Sequence, residues 1–174
     1  MMNKLTAALA ALCLVGVTGM AGAADKPTDP QIAHIAYTAG VIDIEAAKLA
    51  IEKSTTKEVV DFANDMLRDH QEVNDQALAL VKKLNVTPED NDTSKALVKA
   101  AADKRAELSG LDGAAFDKAY VANEVAYHKQ VNGALETLLI PSAENGDLKS
   151  LLETGLKIFQ GHEQHAEMVA GGLK

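Results

Sequence analysis

The sequence predicts an all-α fold: an antiparallel four-helix bundle with an extra, shorter helix between the second and third long helices. Three observations carry that reading. Along four long segments the apolar residues recur at alternating three- and four-residue steps, the mark of a helix burying one stripe. Runs of Val, Ile and Thr with period-two alternation, which a half-buried strand needs, are absent. Short breaks separate the first long segment from the second and the third from the fourth, as antiparallel neighbours require.

The N-terminal stretch MMNKLTAALAALCLVGVTGMAGAADKP joins an early lysine, an apolar run and the small residues Ala21-Gly22-Ala23, the composition of a secretory signal peptide cleaved near Ala23 or Ala24. The apolar run is short for a membrane span, and polar residues follow it. Residues 1–23 are therefore read as a signal peptide, 24–30 as a linker and 31–174 as one helical domain. The expected location is periplasmic or otherwise exported, with no stable membrane insertion after cleavage. The single cysteine, Cys13, lies inside the apolar run, and Ala10-Ala11-Leu12 before it do not form a lipoprotein cleavage box. The mature chain is thus expected to lack a thiol, and with it any disulfide, thiolate ligand or cysteine nucleophile.

The first helix is predicted from Asp29 to Lys53, with Ile32, Ile35, Ala39, Ile42, Ala46 and Leu49 on its buried seam. Ser54, Thr55 and Thr56 break it, and Glu58 stands where a capping box for the next helix would place it. That second helix runs to Asn85 with the seam Val59, Ala63, Met66, His70, Val73, Ala77, Leu80 and Leu84. After a loop from Val86 to Thr93, containing Pro88, comes a short charged helix from Ser94 to Ser109 and a Gly-Leu-Asp-Gly break at 110–113. The third long helix carries Val121, Glu124, His128, Val131, Leu135 and Leu138, and Ile140-Pro141 is expected to end it, because proline cannot continue the hydrogen bonding. The last helix starts between Glu144 and Asp147 with the seam Leu148, Leu151, Gly155, Ile158, His162, His165 and Val169.

Polar residues thus stand on apolar lines, and their heights can be compared at ~1.5 Å rise per residue. With up-down-up-down connectivity, His70 and His162 each fall roughly 22 Å from the bundle end at the first turn and His128 roughly 18 Å, within about one helical turn of each other. His165 and Glu124 lie one turn lower and are expected to face each other. Glu45 falls about two turns nearer the turn end, beside the seam. Asp69 is either solvated or holds a histidine from behind. His34 faces away near the opposite end and receives no role.

A lone histidine in a helix seam is ordinarily a core residue hydrogen-bonded to a neighbour. Four histidines and a glutamate at one level need more, because titratable groups buried without partners cost a few kcal/mol each. They must pair with one another, with buried water or with a cation. Neutral imidazoles with a carboxylate suit zinc, copper(II) or nickel better than magnesium or calcium, which take oxygen shells. The candidate metal ligands are His70, His128, His162, His165 and Glu124.

Other classes are poorly supplied. A formal charge of −8 with no basic cluster and no Trp disfavours nucleic acid and anionic membrane surfaces. There is no phosphate-binding Gly-rich loop, no Ser-His-Asp arrangement in recognisable context and no His-Glu-x-x-His motif, so the sequence leans away from an enzyme. Met66 and Met168 are too few for a soft copper site.

The order of Glu45 with Lys48-Leu49-Ala50, Asp69-His70, Phe116-Asp117 with Tyr120 and His128, and finally His165 resembles the exported bacterial family called domain of unknown function 4142 (DUF4142), placed among ferritin-like helical bundles. The resemblance spans Pro30 to the C-terminus. It implies a signal peptide, export and a ferritin-like four-helix core, with no established activity. Ferritin-like di-iron proteins use Glu-x-x-His on two helices. Here Leu67 precedes His70 by three, Phe159 precedes His162 and His162 precedes His165, so a di-iron centre is disfavoured. The favoured function is an exported protein binding a divalent transition metal through core histidines. The alternative is an envelope stress or interaction protein with a structural or pH-sensing histidine network; a ferritin-like redox enzyme ranks last.

Overall fold

The computed structural model describes residues 26–173, so the expected signal peptide and its cleavage site lie outside the described residues. Among the described residues all regular structure is helical: α1 (Asp29–Lys53), α2 (Lys57–Leu84), α3 (Asp92–Ser109), α4 (Gly113–Ala134), a π-helical turn (Leu135–Leu139), the single turn α5 (Ile140–Ser142) and α6 (Gly146–Gly172). None of these helices is long and apolar enough to cross a membrane.

The helix starts are set by local hydrogen bonds. Asn91 Oδ1 accepts from the Ser94 N–H at 3.1 Å and Ser94 Oγ accepts from the Asn91 N–H at 3.1 Å, so α3 begins two residues before the expected Ser94. Asn145 Oδ1 caps α6 by accepting from the N–H groups of Asp147 and Leu148. The capping box expected around Glu58 does not form. Thr56 instead donates its hydroxyl to Asp117 Oδ2 at 2.5 Å, which ties the α1–α2 turn to α4.

Pro141 does not end the third rod where the sequence suggested. The preceding turn widens to π geometry, with the Ile140 N–H reaching Leu135 O, and Pro141 then sits in the first turn of α5. Helix continues to Ser142, and the Ala143 N–H closes it on Leu139 O at 3.0 Å.

Around the molecule α1 packs on α2, α2 on α6, α6 on α4 and α4 on α1, while α3 lies against α1 and α4. The buried line of α1 is Ile32, Ile35, Ala39, Asp43, Ala47 and Ala50; the expected Ile42, Ala46 and Leu49 are half-buried and turn toward α3. On α6 the buried line is Leu148, Leu152, Gly155, Phe159, His162, Ala166 and Val169, which leaves the expected Leu151, Ile158 and His165 half-buried.

The core comes in two apolar clusters, one around Phe62, Met66, Phe116 and Tyr120, the other around Ile32, Leu135, Leu148 and Phe159. On each of α1, α2, α4 and α6 the residues of one cluster precede a buried polar position and those of the other follow it: Asp43, His70, Glu124 with His128, and His162. The fold therefore places a polar layer between two apolar halves. Beside it, Asn74 of α2 crosses so close to Gly40 of α1 that a Cβ there would lie 2.3 Å from Asn74 Oδ1.

Candidate metal centre

Three imidazoles from three helices meet in this layer. Ring centroids are 5.6 Å apart for His70 and His128, 5.2 Å for His70 and His162, and 5.5 Å for His128 and His162. One nitrogen from each lies within 4.8 Å of the other two. All three residues are buried, at 3%, 1% and 6% exposure for His70, His128 and His162, so bulk solvent does not reach their nitrogens.

Each ring is fixed from its outer side. His128 Nδ1–H donates to the Glu124 carbonyl at 3.0 Å, which leaves Nε2 with its lone pair and no hydrogen-bond partner. His162 Nε2–H donates to Asp69 Oδ2 at 3.0 Å, leaving Nδ1 buried and unpartnered. His70 stacks on Phe159 at 4.5 Å with 9° between the planes. Its Nε2 lies against Asp43 Oδ2, and its Nδ1 is buried without a hydrogen-bond partner.

Two carboxyls complete the layer. Asp43 Oδ2 is 3.7 Å from His128 Nε2, and Glu124 Oε2 is 3.7 Å from His128 Nδ1. Asp43, Glu124 and His128 form a second group of ligand atoms within 4.8 Å of one another. Burial by itself would raise Asp43, yet the adjoining His70 and then His128 hold its carboxyl below the usual carboxylate range. Burial first, and then the charge of Asp43, push Glu124 well above that range. The pair carries one negative charge, on Asp43, and Glu124 is protonated.

Burial also lowers His162 to about 4, against the opposing effect of its hydrogen bond to Asp69, and lowers His128. Both rings are neutral at pH 7, the form in which imidazole ligates a metal. The phenol of Tyr120, buried without a hydrogen-bond partner, is pushed up by burial and by Glu124, while Tyr127 donates its hydroxyl to Ala39 O at 2.9 Å.

Of the five residues singled out from the sequence, His70, His128, His162 and Glu124 come together and His165 stands apart. Its side chain is 38% exposed, its ring meets Phe62 edge-on at 5.2 Å, and Nδ1 is 4.0 Å from Asp65 Oδ2; it does not face Glu124. The cause is the one-residue offset of the α6 seam. Asp69 is the residue that holds His162 from behind. Glu45 pairs with Arg105 of α3 at the surface, and His34, half-buried, has Nδ1 3.5 Å from Thr38 Oγ1. Asp43 was not anticipated, although the spacing Ala39, Asp43, Ala47, Ala50 is itself a helical seam.

The sequence profile of the family described as domain of unknown function (DUF4142) matches residues 16–169. The chain belongs to this family. Comparison with curated proteins gives no match. Among solved structures, the DUF4142 chain is similar to a putative secreted protein DUF305 from Streptomyces coelicolor, at 11% identity and TM-score 0.66, over 78% of this chain and 87% of that one. It is also similar to CopM in the Cu(II)-bound form, at 11% identity and TM-score 0.65, over 86% of this chain and 99% of that one. At such identity the likeness is one of helical fold.

Proposed function

We propose that this DUF4142 protein is an exported binder of a divalent transition metal, held by His70, His128 and His162 with the Asp43 carboxylate beside them, on an antiparallel four-helix bundle of ferritin-like type. The observation that carries the reading is the convergence of buried imidazole nitrogens without hydrogen-bond partners. An unsatisfied buried polar atom costs about 1–3 kcal/mol, and a single cation would satisfy several of them at once. Nitrogen donors with one carboxylate favour zinc, copper(II) or nickel over the oxygen-seeking cations. The copper(II) named for the CopM neighbour agrees with that choice.

The contact between Asp43 and His70 favours a second reading, in which the layer is a structural or pH-sensing network of an envelope protein. Native mass spectrometry of untagged protein and melting curves with zinc, copper(II) and nickel at pH 7.5 separate the two. The metal reading expects one ion per chain and a raised Tm, lost in His128→Ala and kept in His34→Ala. If no ion raises the Tm while His128→Ala still destabilises the fold, the network reading stands and the metal reading falls. N-terminal sequencing of the secreted form, expected to start near Ala24, tests export.

A further inference from the structure

A cation bound in the layer must reach it, and the cavity of about 130 Å³ within the second apolar cluster offers it no charged ligand on the way. Above and below lie the two apolar clusters. Toward α2 and α6 the way is closed by Phe159 stacked on His70 and by Asp69, which binds His162 on one oxygen and Arg68 on the other. On the remaining side a crevice of about 690 Å³ runs between α3, α1 and α4, and Asp43 and Glu124 are among its lining residues.

The crevice exists because small side chains face it: Ala46 of α1, Ala96 and Ala100 of α3, and Ala126 of α4. The helix above it is weakly anchored. The fully buried side chains of α3 are Ser94 and Leu108, near its two ends, and in its middle turns only Leu97 and Ala101 are half-buried apolar residues, Leu97 against the second apolar cluster. The clasps are Arg105 with Glu45 at the rim, Lys53 Nζ donating to Ser109 O at 3.0 Å at the C-terminal end, and the N-cap Asn91 donating its Nδ2–H to Gln31 O at 3.4 Å at the other. Few buried contacts make such a segment the cheapest part of a structure to displace.

Beneath α3, buried oxygens point the way inward. Asp43 and the protonated Glu124 are buried beside each other, and Asp43 Oδ2 lies against His70 and 3.7 Å from His128. A carboxylate standing between a crevice and a set of imidazoles can strip water from a divalent ion one ligand at a time. We propose that the α3 crevice is the access route for the metal ion, with Asp43 as the residue that passes it to the imidazoles and α3 as the cover whose displacement admits it. The inference rests on the metal-binding reading above.

An access route sets rates without setting affinity, and that distinguishes it from a ligand. Stopped-flow loading of metal-free full-length protein with each of zinc, copper(II) and nickel that the wild type binds, followed by release into EDTA, reads both directions. Ala100 and Ala126 are exposed, so Ala100→Leu and Ala126→Leu narrow the crevice without having to fit into a packed core. Both variants are expected to slow loading and release by the same factor, about tenfold, with Kd within about twofold of wild type. Arg105→Ala, which undoes the rim clasp, is expected to speed both rates at unchanged Kd. Ala79→Leu, exposed on the far side of α2, leaves both rates at the wild-type value. Wild-type rates in both leucine variants with the metal still bound would overturn the route, as would a changed Kd without parallel changes in the two rates. A wild type that binds none of the three ions sinks the metal-binding reading itself.

Discussion

Acidifying the metal-free protein should destabilise it through His162. Its folded-state pKa is about 4 against an ordinary value of 6.5, mainly because the ring is buried. A histidine depressed in the folded state is neutral there while the unfolded chain already takes up a proton. Stability is therefore fully present above pH 6.5 and is lost progressively as pH falls toward 4. The gap of that size corresponds to about 3 kcal/mol, a large part of a typical domain's stability. The side chain is only 8% accessible, so solvent screening takes little from this figure. Urea unfolding of wild type and His162→Gln at several pH values between 7.5 and 4 isolates the contribution, since glutamine can keep a donor near Asp69 but cannot titrate. The stability difference between the two proteins should move by about 3 kcal/mol against the wild type across that window. Glu124, shifted the opposite way, acts in both proteins and cancels to first order. A difference that stays flat from pH 7.5 to 4 refutes the argument.

Four further outcomes follow from the same geometry. His165→Ala should leave metal affinity within about twofold of wild type by calorimetric titration, because the ring is half-exposed beside Asp65 and away from the cluster. Glu124→Gln should cost less than about 1 kcal/mol at pH 7, since the carboxyl it replaces is already neutral, whereas Asp43→Asn should weaken metal binding by removing the layer's formal charge; unfolding curves and titrations read the two effects. Gly40→Ala should destabilise by about 1–3 kcal/mol despite alanine's better helix propensity, because the new methyl group meets the Asn74 amide at 2.3 Å; adding Asn74→Ala should recover most of the loss in thermal melts.

The helices were legible because their apolar spacing and their breaks are local properties. The shared level of His70, His128 and His162 was legible too, since rise per residue converts sequence distance into height once connectivity is assumed. Which face of a helix points inward was harder to read. Residues three apart, such as His162 and His165, sit about 60° apart around the axis, and both fit a wide apolar stripe. On α6 the choice was settled by Leu152 and Phe159, which pull the buried line one residue away from Leu151 and Ile158. On α1 the helix faces α2, α4 and α3 at once, so two apolar lines coexist, and the one with larger side chains (Ile42, Leu49) looks toward α3 while Asp43 lies on the other. A charged residue on a line of alanines reads as a break in the pattern, which is why Asp43 was passed over. The π turn before Pro141 leaves no periodic trace, because it adjusts hydrogen bonding without moving the buried Leu135 and Leu139 off the core side.

The direction of the hydrogen bonds bears on what the polar layer is for. A structural network lowers the cost of burial by turning donors toward acceptors within itself, so that the satisfied atoms face one another. Here His128 spends its N–H on a backbone carbonyl of its own helix, His162 spends its N–H on a carboxylate at the surface, and His70 is held by a flat aromatic face. The atoms left over, Nε2 of His128 and Nδ1 of His162, are buried and have no hydrogen-bond partner, while His70 Nε2 and Asp43 Oδ2 lie against each other. Two neutral rings each offering a lone pair cannot hydrogen-bond each other, so closer packing would not relieve them. A cation would, and the outer bonds would then serve to fix tautomer and ring orientation before it arrives, which lowers the ordering cost of binding. The same arrangement explains why one acidic group stays charged in so dry a place. The Asp43 oxygens lie against His70 and near His128, and a positive ion between them would offset the burial cost of that carboxylate.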